Sequence, residues 1–317
     1  MNRVVALAAA AFLFAAAASA SEIVSHSVKT NLKGYERLTL FLMLPPEGKA
    51  KGVFCLSLLA KSADDVRAQL LGKSDRRPLE RALYFAQERN FAVVAWGAHR
   101  LWDSRRNWDE LPSSVAKKID SDFDHVAKAW DVGIDVFVKK YGIPASGYLM
   151  MGSSGAAQFA QRLALRRPDR FLAVHAHIAS SFDRPVKGGA SLLWCVTTGE
   201  NEMGYERSRR FFKAARDLSY PIIYKAYPGL GHEGSAKVTE LGFTCFEFAL
   251  EQQALAAQAQ ARGKKYIKVD WSKIFKSSDY VADVFNQSVY PKADAICVPP
   301  DFRMFLPAAI REAWIGE

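Results

Sequence analysis

From residue 52 onward, unbroken apolar runs of strand length alternate with segments of helical periodicity. "GVFCLSLL" (52–59), "FAVVAWG" (91–97), "GYLMMG" (147–152), "FLAVHAHIA" (171–179), "SLLWCVTTG" (191–199) and "PIIYKAYPG" (221–229) are the apolar runs. Helical patterns occupy 63–89, 121–142, 156–166, 205–220 and 236–259. Runs without polar alternation are expected where both faces of a strand are covered, and strand–helix alternation implies a parallel sheet with helices on both sides. Ahead of this region, "EIVSHSVKT" and "YERLTLFLMLP" flank Asn31-Leu32-Lys33-Gly34 and read as an antiparallel hairpin. Gly142 and Pro144 end the longest helical pattern.

The first 20 residues, "MNRVVALAAAAFLFAAAASA", stand apart from this pattern. A basic Arg3, a short apolar run and Ala18-Ser19-Ala20 before Ser21 read as a secretory signal peptide with its cleavage site. The mature chain is therefore expected to be exported, to the periplasm or outside the cell, and to carry no membrane span. The formal net charge is +10. Its basic clusters, such as Arg166/Arg167/Arg170, are short and interleaved with acidic residues, which reads as a solvated surface rather than a nucleic-acid face. No CxxC occurs and a zinc site is not expected; the reading calls for no metal and no other cofactor. Cys55 and Cys195 lie inside apolar runs and read as buried thiols, while Cys245 and Cys297 are candidates for a disulfide tying the C-terminal segment to the body.

"YLMMGSSGAAQFAQRLALRRPDRF" (148–171) concentrates small residues between a strand and a helix. A serine on a sharp strand-to-helix turn is pushed clear of the carboxyl edge of the sheet, and the positions two before and two after it must be small. Ser154 meets this condition with Gly152 and Ala156; Ser153 would put Met151 at a crowded position and reads as a packing residue. Ser154 is therefore the nucleophile candidate. With a nucleophile on such an elbow, the partners follow in the order acid, then histidine. His232, in the Gly-flanked loop "YPGLGHEGS", is the candidate base. His175 and His177 lie within a strand run and read as core or near-site residues, and His99 follows the strand 91–97, where it could line the site. Glu202 in "TTGENEMG" is the favoured acid, with Glu200 and Asp183 as alternatives. The oxyanion donors are expected to be the amide of Gly155, at a helix N-terminus, and that of Leu59 or a neighbour after "GVFCLSLL". Trp102 and Trp108 in "WGAHRLWDSRRNWDELP" (96–112) are candidates either to grip an aryl or sugar moiety or to pack the loop against the body.

The elbow, "TTGENE" and "PGLGHE" resemble the α/β-hydrolase superfamily, in particular exported bacterial esterases of the polyhydroxybutyrate-depolymerase-like and feruloyl-esterase-like kinds. The resemblance covers roughly 35–255. The chain departs from it in having "SLLAKS" where many relatives carry His-Gly, Ala156 in place of Gly and Glu in place of the commoner Asp. It implies an α/β-hydrolase domain over 21–262, with 263–317 as an extension packed on it. The expected activity is hydrolysis of carboxylic esters through a Ser-His-acid triad and an acyl-enzyme, on small-molecule or polysaccharide-linked esters. A serine peptidase of the same fold and an inactive carbohydrate- or partner-binding protein are the alternatives.

Overall fold

A computed structural model describes residues 22–72, 77–98, 107–262 and 268–316. The signal-peptide reading of residues 1–20 lies outside the described residues. Strands β1 (Ile23–Leu32) and β2 (Tyr35–Met43) form the antiparallel hairpin, and β3 (Gly52–Leu59), β4 (Phe91–Ala98), β5 (Tyr148–Ser153), β6 (Phe171–His177), β7 (Leu193–Gly199) and β8 (Ile222–Tyr227) follow in parallel. They make one sheet in the order β1-β2-β4-β3-β5-β6-β7-β8, with β2 antiparallel to β4. Strands β5 to β8 are almost wholly buried, as unalternating apolar runs require.

Helices α1 (Ala63–Leu70), α2 (Arg77–Glu88), α3 (Ser113–Tyr141), α4 (Gly155–Arg166), α5 (Tyr205–Asp217) and α6 (Ala236–Ala261) connect the strands. The single pattern read over 63–89 is two helices, α1 and α2. Gly142 closes α3 in the left-handed conformation at φ 65°, which glycine adopts without a Cβ penalty. The helices cover the sheet with two aromatic clusters. Phe54 meets Phe85 of α2 and Phe246 of α6, at ring-centroid distances of 5.6 and 5.4 Å. Trp96 meets Trp130 of α3 and Phe159 of α4, at 5.9 and 5.8 Å. These rings pin α2 with α6, and α3 with α4, by large apolar contacts at the tilted or edge-on angles that aromatic pairs favour.

After α6 come α7 (Trp271–Lys276), a second sheet of β9 (Tyr280–Asp283), β10 (Ser288–Pro291) and β11 (Arg303–Leu306) in the order β10-β9-β11, and α8 (Ala308–Ile315). This segment meets the edge strand β8: Trp314 Nε1–H donates to the Tyr224 carbonyl at 2.8 Å, and the Tyr224 amide donates to Met304 Sδ at 3.0 Å. Backbone groups that an edge would leave bare are thereby occupied. Cysteine pairing between Cys245 and Cys297 does not occur. Cys245 is buried against Cys195, whereas Cys297 is exposed on the far segment, and all four cysteines are free. Among the described residues, no helix is long and apolar enough to cross a membrane.

Candidate active site

The carboxyl ends of β5, β6 and β7 converge on one rim of the sheet, with Ser153 paired to His177 and His177 to Thr197. Ser154 follows β5 directly and caps α4, with φ 58° and ψ −131°. That conformation is costly for a residue with a Cβ and is found where the surroundings enforce it. Here two constraints enforce it. The Ser154 amide donates to the His177 carbonyl at 2.9 Å. A Cβ built on Gly152 would lie 2.5 Å from the Ala156 carbonyl oxygen, so the turn closes only over glycine. The result is a half-buried Ser154 whose hydroxyl stands clear of the strand.

His232 Nε2 lies 2.8 Å from Ser154 Oγ, and His232 Nδ1 lies 2.8 Å from Glu202 Oε2. The Glu202 side chain is nearly sealed from solvent, 3% exposed, whereas that of His232 is 53% exposed. A buried carboxylate can only accept, so Nδ1–H donates to Glu202, and the bare Nε2 is left to accept the serine hydroxyl proton. The loops carrying the acid and the imidazole are locked to each other. Asn201 donates through its amide to the Leu230 carbonyl at 2.9 Å and through Nδ2 to the Gly229 carbonyl at 3.2 Å. A Cβ on Gly199 would come within 2.2 Å of the Leu230 oxygen, so only glycine permits the approach.

The other acid candidates lie elsewhere. Asp183 faces Arg162 Nε at 2.8 Å and Arg166 Nη1 at 3.0 Å. Burial pushes its carboxyl up, but the two guanidiniums outweigh that and hold it below the ordinary carboxylate range. Glu200 is half-buried at the end of β7, with its amide donating to the Tyr227 carbonyl.

Gly155 opens α4, where the first backbone amides have no partner within the helix and the dipole favours negative charge. Leu59, the last residue of β3, abuts it: a Cβ on Gly155 would sit 3.3 Å from Leu59 Cδ2. From there three residues lead into α1, where Ser62 accepts the Asp65 amide at 3.1 Å. Trp108 is half-buried and packs against the core. Asn107 beside it is fully buried and bonds the Arg207 carbonyl and the Phe182 amide, so this part of the loop is anchored. His99 and Trp102 lie outside the described residues.

Beside the elbow opens a cavity of about 760 Å³ whose wall includes Leu56, Leu59, Met151, Ser153, Arg81 and Thr239. Its size falls within the range of small-molecule sites. Ser153, read above as a packing residue, is instead exposed and lines this cavity. Strand alternation is the reason: with Gly152 turned into the elbow, its neighbour points to the opposite side. The feature that sequence reasoning left without a role is the environment of His175 and His177, both buried in β6. The available signal was two histidines at i and i+2 in an otherwise apolar strand, which puts both on one face next to the elbow.

No family model matches the sequence, and no curated protein matches it. Solved structures do. A ferulic acid esterase superposes with a TM-score of 0.50 at 17% identity, over 73% of this chain and 98% of that one. A thermostable esterase superposes with a TM-score of 0.50 at 15% identity, over 72% of this chain and 62% of that one. A Bacteroides ovatus chain with a provisional dipeptidyl aminopeptidase IV assignment matches at 0.49 and 12% identity, and there the match spans only 36% of that longer chain. The eight-stranded, mostly parallel sheet, its N-terminal hairpin and the likeness to the two esterases at a TM-score of 0.50 show that the chain has the α/β-hydrolase fold.

Proposed function

We propose that this chain is a serine hydrolase of carboxylic esters, working through Ser154, His232 and Glu202. The observation that carries the proposal is the continuous hydrogen-bonded line from Ser154 Oγ through the His232 ring to Glu202, at 2.8 Å for each link. A serine hydroxyl is a weak nucleophile until a base takes its proton. His232 Nε2 is within reach to do so, and Glu202 fixes the tautomer and offsets the positive charge that then forms on the ring.

The reaction runs in two halves. Ser154 Oγ adds to the ester carbonyl carbon as its proton passes to His232 Nε2. The oxyanion forms against the Gly155 amide at the head of α4, with the end of β3 at Leu59 assigned as the second donor. Collapse breaks the bond to the alcohol oxygen, which takes the proton from His232 and departs, leaving an ester on Ser154. Water then adds with His232 again as base, releasing the acid and restoring the serine. The cavity beside the elbow is lined by Gly152, Ser153, Ala156 and Gly234 rather than by the three triad side chains, and it is proposed to receive one arm of an ester-linked small molecule or of a polysaccharide-linked ester whose carbonyl lies at Ser154. Export follows from the leader-like residues 1–20. The test is hydrolysis of short aryl, acetyl-sugar and feruloyl esters by wild type and Ser154→Ala. At least one ester should be turned over by the wild type, with turnover lower by several orders of magnitude in the variant. Equal turnover by both proteins would refute the assignment.

A further inference from the structure

His177 touches both halves of the proposed machinery. Its carbonyl accepts the Ser154 amide at 2.9 Å, and its ring Nε2 lies 3.1 Å from the carbonyl of Glu233, the residue after His232. A carbonyl only accepts, so Nε2 carries a proton. Burial, the largest influence, holds His177 neutral with a pKa near 4, so Nδ1 is bare. Nδ1 lies 2.9 Å from Thr197 Oγ1, and the Thr197 hydroxyl therefore donates to it. That hydroxyl has a single hydrogen, so Oγ1 accepts from His175 Nε2 at 2.9 Å. His175 is likewise held neutral, near pKa 3, by burial and then by His177. Its Nδ1 is bare, has no hydrogen-bond partner and faces α6 at Gly242, where a Cβ would come within 2.2 Å. In this tautomer every ring nitrogen of the pair except His175 Nδ1 has a partner. Donation runs one way, from His175 to Thr197 to His177 and out to the Glu233 carbonyl.

We propose that His177 is a positioning residue, holding the His232 loop over Ser154 through its Nε2–H bond to Glu233, with Thr197 and His175 fixing the tautomer that makes this bond possible. The proposal rests on the hydrolase reading above. Its logic is geometric. The His232 ring is half exposed, and its loop is rich in glycine, so the loop needs an anchor on the nucleophile's side as well as the Asn201 anchor on the acid's side. His177 supplies one that is also bonded to the nucleophile's own backbone.

The test compares His177→Asn with His177→Gln. The Asn amide occupies the place of Nδ1 and leaves the Glu233 carbonyl without a donor, whereas the Gln amide reaches the place of Nε2. In His177→Asn, kcat and the rate of fluorophosphonate labelling should fall about 10–100-fold with KM within a factor of about two, the pattern of a misplaced reacting group. His177→Gln should recover most of the loss. Unchanged kcat in the Asn variant, or an equal fall in both, overturns the proposal. Nitrogen-15 NMR of the wild-type rings needs no variant: at pH 7, His177 and His175 should both be neutral and protonated on Nε2, and a proton on His177 Nδ1 overturns the proposal. Absence of any esterase activity or labelling in the wild type would instead sink the hydrolase reading, leaving the ring tautomers to decide whether the hydrogen-bond chain exists.

Discussion

Ser154 Oγ and His232 Nε2 lie 2.8 Å apart although 78 residues separate them in the chain. Neither loop achieves this alone. Ser154 is held at positive φ by the Gly152 contact and the His177 carbonyl, and His232 is held by Glu202, by the loop bonds of Asn201 and by the Glu233 bond to His177.

Glu202→Gln keeps the shape of the acid but can donate as well as accept, so it releases the tautomer in which His232 Nε2 is bare. The expected result is a fall in kcat of about 10⁴-fold with little change in thermal stability. Steady-state kinetics beside a melting curve checks both halves.

Gly152→Ala introduces a Cβ at 2.5 Å from the Ala156 carbonyl oxygen, and the nearest atoms are all backbone of Ala156 and Ala157, so no flexible side chain can yield. A loss of about 1–3 kcal/mol is expected from such overpacking, together with displacement of Ser154 and loss of ester hydrolysis. Urea denaturation measures the first and aryl-ester turnover the second.

His175 and His177 give the fold a definite response to acid. Both have folded pKa values, near 3 and near 4, below the unfolded value of about 6.5. The unfolded state therefore binds more protons as pH falls. The stability they contribute is complete above about pH 6.5 and is lost as pH drops through 6 and 5 toward 4, at up to about 2.7 kcal/mol per pH unit for the two together. Urea midpoints at pH 7, 6 and 5 should fall in that order, and His175→Gln should flatten the slope.

Four free thiols with one exposed predict a simple titration. Under native conditions Cys297 should react with a thiol reagent quickly, whereas Cys55, Cys195 and Cys245 should react only after unfolding, because burial pushes the Cys55 and Cys195 thiols well up and shields all three. A Cys245–Cys297 disulfide would instead leave two reactive thiols on denaturation.

The sheet and the site were legible in the sequence to different depths. Unbroken apolar runs give the strands β3 to β8 to within a few residues, because a strand buried on both faces has no polar positions to blur it. The elbow is legible through Gly152 and Ala156, since sterics there admit few residue types. Strand alternation puts Ser153 on the face of Met151, but whether that face meets core or a cavity is decided by the elements packed over it, which the local pattern does not show. Asp183 is held away from the imidazole by Arg162 and Arg166 of α4, a contact between separate segments that periodicity does not show. The Cys245–Cys297 pairing failed for the same kind of reason, since strand β7, not the C-terminal segment, supplies the neighbour of Cys245. The hydrogen-bonded contact of His175 and His177 with Thr197 depends on strand register between β6 and β7, which periodicity alone does not specify.

The most direct measurement is mass spectrometry of the wild type and Ser154→Ala after incubation with a fluorophosphonate. An adduct of one probe per chain on the peptide carrying Ser154, absent from the variant, is expected. An adduct on Ser153, or none on a chain shown to be folded, would contradict the proposed nucleophile and the chemistry built on it.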